Sequence, residues 1–251
     1  MQFFTHDGFE LGYIDEGAGD PVLLIHGFAS NHFVNWVSPG WVKTLRDAGY
    51  RVVAIDNRGH GRSAKSHDPA DYTSAAMAAD AAALLDHLGL PRAHVMGYSM
   101  GARIAAFLAL GHGDRVASLV FGGLGMGMVE GVGAWDTIAE ALLAEDPGTV
   151  ADARARAFRS FADQTKSDRR ALAACIETSR ELIAPDAMAR IAGPALVVVG
   201  TADDIAGDPQ RLAALMPDAR AVAVPGRDHM LTVGDKAFKA AVLDFLEEHP
   251  L

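Results

Sequence analysis

Residues 93–101 read Ala93-His94-Val95-Met96-Gly97-Tyr98-Ser99-Met100-Gly101, and an alanine-rich stretch follows as far as Leu110. The apolar burst at 93–96 predicts a buried strand and Met100–Leu110 predicts a helix. Between them lies a Gly-x-Ser-x-Gly turn. So sharp a strand-to-helix turn forces strained dihedrals on its tip residue, and Gly97 and Gly101 remove Cβ atoms from its flanks. The Ser99 hydroxyl is thereby lifted clear of the sheet. The helix starting at Met100 points its free N–H groups and positive dipole end at the same spot. Chance places roughly 0.1 such pentapeptides in a chain of this composition, so the strand before and the helix after it carry the reading.

Working outward, short apolar bursts recur at Pro21–Ile25, Arg51–Ile55, Val116–Phe121, Ala195–Val199 and Ala221–Val224. Bursts without clean alternation suit central parallel strands covered on both faces. Helical patterns at Trp41–Ala48, Ser74–Leu88, Asp208–Met216 and Asp235–Glu247 separate them. Strand and helix in alternation predict an α/β fold with a mostly parallel, doubly wound sheet. The N-terminus reads as an antiparallel hairpin, Gln2–Thr5 and Phe9–Asp15, turning at His6-Asp7-Gly8. From Gly122 to about Arg190 no strand is expected. That stretch opens with GGLGMGMVEGVG, read as a hinge, and continues with helical patterns at Ala134–Ala144, Thr149–Phe161 and Asp168–Leu182. The expected organisation is a core of residues 1–122 and 191–251 with a helical cap, 123–190, inserted in it.

The 251 residues carry 22 Lys and Arg against 32 Asp and Glu, a net charge of −10 that disfavours nucleic acid as a partner. Half the residues are apolar, too many for a disordered chain, and a single Cys excludes an internal disulfide framework. The N-terminal stretch has no basic start followed by an apolar run, and no apolar run reaches membrane-span length. No signal peptide, no membrane partner and a cytoplasmic location are therefore expected. The Gly-rich 122–133 segment lacks a Lys and dinucleotide spacing, and no metal-ligand cluster is apparent, so neither cofactor nor metal is expected.

A Ser hydroxyl needs a base, and His229 in Pro225-Gly226-Arg227-Asp228-His229-Met230 follows the last strand burst, where open α/β sheets bind ligands. The base needs a carboxylate. The strand at 195–199 runs into Gly200-Thr201-Ala202-Asp203-Asp204; Asp203 is preferred and Asp204 is the alternative. An N–H for the oxyanion is expected from Met100 and another from Phe28, in the loop after Pro21–Ile25. His94 reads as a core His, His26 as a loop-shaping residue, Arg58 as a salt-bridge residue and Arg103 as solvent-facing. Cys175 reads as a small buried hydrophobe.

The pieces His26-Gly27-Phe28, DNRGHGRS at 56–63, GYSMG at 97–101, GTADD at 200–204 and GRDHM at 226–230 together resemble the α/β-hydrolase superfamily. The resemblance implies Ser99 as nucleophile, Asp203 as acid, His229 as base, and Phe28 and Met100 as oxyanion-hole backbones. It also implies that the turn at 56–63 is structural. Epoxide hydrolases and haloalkane dehalogenases in that superfamily use an Asp where this chain has Ser99. Residues 31–36 resemble loops of carbon–carbon bond hydrolases of aromatic degradation, of enol-lactonases and of small esterases alike. Trp36, Tyr98, Met126, Met128, Trp135 and Met230 are expected to wall an apolar acyl pocket.

The expected function is a serine hydrolase acting on a small-molecule ester, thioester or lactone. Cleavage of a carbon–carbon bond, or acyl transfer to an acceptor other than water, uses the same residues and stays open, and so does a non-enzymatic receptor. The sequence is silent on oligomeric state.

Overall fold

The computed structural model describes residues 1–133 and 135–251. Asp7 and Gly8 take φ of 49° and 78°, the two-residue turn whose twist suits a hairpin. It joins β1 (Gln2–His6) to β2 (Phe9–Glu16). There follow β3 (Pro21–Ile25), α1 (Trp41–Asp47), β4 (Arg51–Ile55), α2 (Ser74–His87) and β5 (Ala93–Tyr98). α3 (Met100–Gly111) and β6 (Val116–Gly122) complete the first part of the sheet. After the intervening helices come β7 (Ala195–Gly200), α9 (Pro209–Ala213), β8 (Ala219–Val224), α10 (His229–Thr232) and α11 (Lys236–Glu248).

The strands form one sheet in the order β1-β2-β4-β3-β5-β6-β7-β8. β1, β2 and β4 pair antiparallel, and every other pairing is parallel. Successive strand residues face opposite sides, and both sides are apolar. Leu23, Ile25, Val53, Val95, Phe121 and Val197 join α2, α3 and α9 in one buried cluster. Val22, Leu24, Val52, Met96, Val120 and Val198 join Trp41, Leu45, Phe238 and Phe245 of α1 and α11 in another. Burial on two faces explains why these strands read as unbroken apolar bursts.

Chain direction across the sheet reverses at β3, which has β4 on one side and β5 on the other. The loops leaving β3 and β5 therefore diverge over a crevice at the carboxyl ends of the strands, the switch point where such sheets place ligands.

Between β6 and β7 lie α4 (Gly127–Glu130), α5 (Asp136–Leu143), α6 (Ala153–Gln164), α7 (Arg169–Thr178) and α8 (Pro185–Met188). The expected helix start at Ala134 falls outside the described residues. Ile138, Leu142, Ala162, Leu172 and Cys175 belong to the same buried cluster as the lower sheet face, so these helices share the core.

Two expectations meet specific contacts here. The Gly-rich segment is tied down at its centre: the N–H groups of Gly125 and Gly127 donate to Ala206 O at 2.8 and 3.0 Å, and Met126 N–H donates to Asp208 O at 3.0 Å. A Cβ on Gly125 would lie 2.5 Å from Gly207 O, so glycine here permits close approach of two backbones. Arg103 does not face solvent. It is buried and donates to the carbonyls of Gly127, Met128 and Glu181 at 3.2, 2.9 and 2.6 Å. Burial lowers its pKa to about 10. A guanidinium has enough donors to satisfy several orphaned carbonyls at once, which a surface reading of a helical Arg overlooks.

Candidate active site

The turn after β5 has no room for side chains at its flanks. A Cβ on Gly97 would lie 2.0 Å from Gly101 O, and one on Gly101 would lie 2.0 Å from Ile25 O. Ser99 between them is held at φ 54°, ψ −114°, a strained conformation for a non-glycine residue. Ser99 N–H donates to Gly122 O at 2.8 Å, tying the turn to the end of β6. α3 begins at Met100.

His229 Nε2 lies 3.0 Å from Ser99 Oγ, and its Nδ1 lies 2.8 Å from Asp203 Oδ2. Asp203 is fully buried as a side chain, and its other oxygen accepts from the N–H groups of Ile205 and Ala206 at 2.9 and 3.0 Å. The neighbouring Asp204 is 81% exposed and reaches Arg154 instead. The loops carrying acid and base are laced together. Ala202 N–H donates to Arg227 O at 3.0 Å, and Gly226 N–H donates to Thr201 Oγ1 at 2.8 Å. A Cβ on Gly200 would meet Arg227 O at 2.0 Å. Asp228 caps the short α10 by accepting from Met230 and Leu231 N–H groups, so the base sits on an N-terminal turn of fixed shape. Tyr98 donates its hydroxyl to His229 O; burial raises its pKa, which keeps it a neutral donor.

The loop after β3 is built from buried polar contacts. His26 Nε2 accepts from Asn57 N–H at 3.0 Å and its Nδ1 meets Gly27 O at 2.8 Å, so the proton is on Nδ1. Burial lowers its pKa and holds it neutral. Gly27 N–H donates to Asn35 Oδ1 at 3.0 Å. A Cβ on Gly27 would press Tyr98 O at 3.1 Å, so this loop lies directly against the nucleophile turn. Among the described residues no acceptor bonds the N–H of Phe28 or of Met100.

The turn at 56–63 supports the loop from below. Asp56 accepts from the His32 ring, from His32 N–H and from Arg62 N–H. Burial alone would raise its pKa, but the His32 hydrogen bond and the nearby imidazoles outweigh it and bring it to about 2. Arg58, fully buried, holds Asp80 through two bonds of 2.6 and 2.7 Å.

A cavity of about 720 Å³ opens onto Ser99 and His229. Phe28, Tyr98, Trp135 and Met230 line it. Trp36, Met126 and Met128 do not. Trp36 is wholly buried edge-to-face on Trp41 in the upper core, and the two methionines are buried within the Gly-rich segment. The wall is completed by residues outside the sequence expectation: Val34, Asn35, Phe158, Phe161 and Ile205. Phe158 and Phe161 stand one turn apart on α6, and with Arg154 they form a stripe at helical spacing that the sequence carries. Val34 and Asn35 lie in a π-helical turn, Phe33–Val37, which has no such periodic signal. The Asn35 amide nitrogen is buried without a partner among the described residues.

Fold and site together define a hydrolase with a Ser-His-Asp relay. The alpha/beta hydrolase fold family matches residues 20–165, and the chain belongs to it. BpoC of Mycobacterium tuberculosis, named as a candidate non-heme bromoperoxidase, is 31% identical over 245 residues, 88% of this chain and 90% of its own. A solved hydrolase of Pseudomonas aeruginosa PA01 superposes with a TM-score of 0.81 at 28% identity, covering 97% of both chains. The enol-lactonase of Burkholderia xenovorans LB400 shares the fold, with a TM-score of 0.81 at 24% identity over 98% of this chain and all of its own. Among the described residues no helix is long and apolar enough to cross a membrane.

Proposed function

We propose that Ser99 is the nucleophile, His229 the base and Asp203 the orienting acid of a hydrolase that cleaves small to medium carboxylic esters, thioesters or lactones. The observation that carries this reading is the pair of contacts at 3.0 and 2.8 Å that joins Ser99 to His229 and His229 to Asp203.

In the first step Ser99 Oγ attacks the carbonyl carbon while His229 Nε2 takes its proton. The new oxyanion is held by the N–H groups of Phe28 and Met100, both without partners among the described residues. His229 returns the proton to the leaving oxygen or sulfur as the acyl bond breaks. Water then attacks the acyl-enzyme with His229 as base, and the acid leaves with Ser99 restored. The apolar cavity wall suits a hydrocarbon-rich acyl group. Residues 123–190 act in this reading as a cap that excludes water from the acyl site. The enzyme works in the cytoplasm, where a single buried Cys175 stays reduced, and nucleic acid and membranes are not its partners.

The likeness to BpoC favours a second reading, in which hydrogen peroxide replaces water and the acyl-enzyme is released as a peracid. The test is a chain-length series of 4-nitrophenyl esters and lactones, with and without peroxide, beside Ser99→Ala. Burst release of nitrophenol that vanishes in Ser99→Ala supports the shared acyl-enzyme. Hydrolysis undiminished in that variant refutes it.

A further inference from the structure

We propose that the substrate carries a carboxylate remote from its scissile bond, and that Arg154 is the specificity residue that recognises it; the inference rests on the hydrolase reading above. Among the described residues lining the cavity, Arg154 is the only Lys, Arg, Asp or Glu. It stands on α6 in one stripe with Phe158 and Phe161, on a wall otherwise made of aromatic, aliphatic and small polar groups.

Its guanidinium is loosely engaged. Nη2 lies 3.4 Å from Asp204 Oδ2, and Nη1 lies 3.4 Å from Val132 O. Several other arginines hold their carboxylates more tightly, Arg58 meeting Asp80 at 2.6 Å and Arg51 meeting Asp15 at 2.8 Å, while the surface pairs Arg190–Asp186 and Arg169–Asp163 are as loose, at 3.5 and 3.7 Å. Asp204 is 81% exposed, so water readily replaces Arg154 as its partner, and an exposed pair of this length contributes little to stability. Arginine has five donors in a planar fork that matches a carboxylate. Against an apolar wall that match is screened less than it is in open water. The overall charge of −10 repels anions at long range, so this cation confers selectivity within the cavity and does not steer encounter.

The competing role is a strap. Arg154 links a helix between β6 and β7 to the loop that carries Asp203, and loosening a strap disturbs every substrate alike. Recognition disturbs only anionic ones.

The experiment compares matched pairs of esters. On the acyl side, 4-nitrophenyl hydrogen glutarate is set against 4-nitrophenyl pentanoate. On the alcohol side, 4-carboxyphenyl butanoate is set against phenyl butanoate. Each pair is measured in wild type, Arg154→Gln, Arg154→Lys and Asp204→Ala. We expect the anionic-to-neutral ratio of kcat/KM to fall roughly 10- to 100-fold in Arg154→Gln, mainly through KM, for the side that carries the natural carboxylate. Arg154→Lys keeps part of the ratio. Asp204→Ala raises it about two- to fivefold by freeing the guanidinium. Equal losses on both members of a pair, or ratios that do not move in any variant, overturn the assignment. A wild type that cleaves none of the four, or that Ser99→Ala matches, brings down the hydrolase reading and this inference with it.

Discussion

Gly101 lies so close to the end of β3 that a Cβ on it would come within 2.0 Å of Ile25 O. α3 and β3 are thus in backbone contact, and neither can shift without the other. Gly101→Ala and Gly97→Ala are each expected to cost about 3 kcal/mol or more, because the clash is with backbone that cannot rotate away. Urea unfolding measures this. An alanine variant of wild-type stability and activity would contradict the geometry.

The two adjacent aspartates should separate cleanly. Asp203→Asn leaves the His229 ring without its charged orienter, and kcat should fall about 10³- to 10⁴-fold. Asp204→Asn should stay within about twofold on a neutral ester, since its side chain is exposed and faces Arg154. Steady-state kinetics on one uncharged ester decides. Equal losses would mean that the acid has been assigned to the wrong residue.

Asn35 accepts the Gly27 N–H and so holds the loop that carries Phe28, whose N–H is the proposed oxyanion donor. Asn35→Leu keeps the volume and removes the acceptor. It should lower kcat roughly 10- to 100-fold with a smaller change in KM, the pattern of a lost transition-state contact. A pure KM effect would place Asn35 in ground-state binding instead.

Acid should weaken the fold well before carboxylates titrate. Burial lowers the His60 pKa to about 3, with His26 adding to the effect, and burial lowers His94 to about 4, both from an ordinary 6.5. Between those values and 6.5 the unfolded chain binds more protons than the folded one, so stability rises with pH there. The contribution is complete above about pH 6.5 and is lost as pH falls through 4 for His94 and 3 for His60. Each histidine accounts for up to about 1.4 kcal/mol per pH unit inside its window. Denaturant midpoints from pH 7 to 4 should decline steadily, and His60→Gln should flatten the decline. A level wild-type profile would sink this.

Arg103→Met should loosen the helices between β6 and β7. Three carbonyls, on Gly127, Met128 and Glu181, lose their donor inside the core. The cost is expected at about 3 kcal/mol. Limited proteolysis should then cut first within residues 123–190. Unchanged cleavage would argue that the helices are held by apolar contacts alone.

The sheet was legible because strands buried on both faces must be written in apolar residues, and the nucleophile turn was legible because its two glycines answer to backbone clearance. Asp203 and His229 followed from their places at strand ends. Trp36 was not legible as core, because a large aromatic in a loop reads equally as pocket wall or packing, and only its contact with Trp41 decides. Met126 and Met128 were misread for the same reason. Arg103 was misread because its partners, at Gly127, Met128 and Glu181, are far along the chain. The glycines at 125 and 127 looked like freedom and serve as clearance. Arg154, Phe158 and Phe161 were present as a stripe on α6, but an amphipathic stripe does not say whether it faces core or cavity.

The segment from Gly125 to Gly127 is stitched to Ala206–Asp208, and Arg103 rivets its neighbours to α3. These bonds tie the chain after β6 to the loop that follows Asp203 and to α3. Met230 and Leu231 line the cavity and are both more than half exposed. Exposed side chains of this kind change rotamer within nanoseconds, so substitutions at these two positions retune which molecules fit while the bonded backbone around them stays as it is.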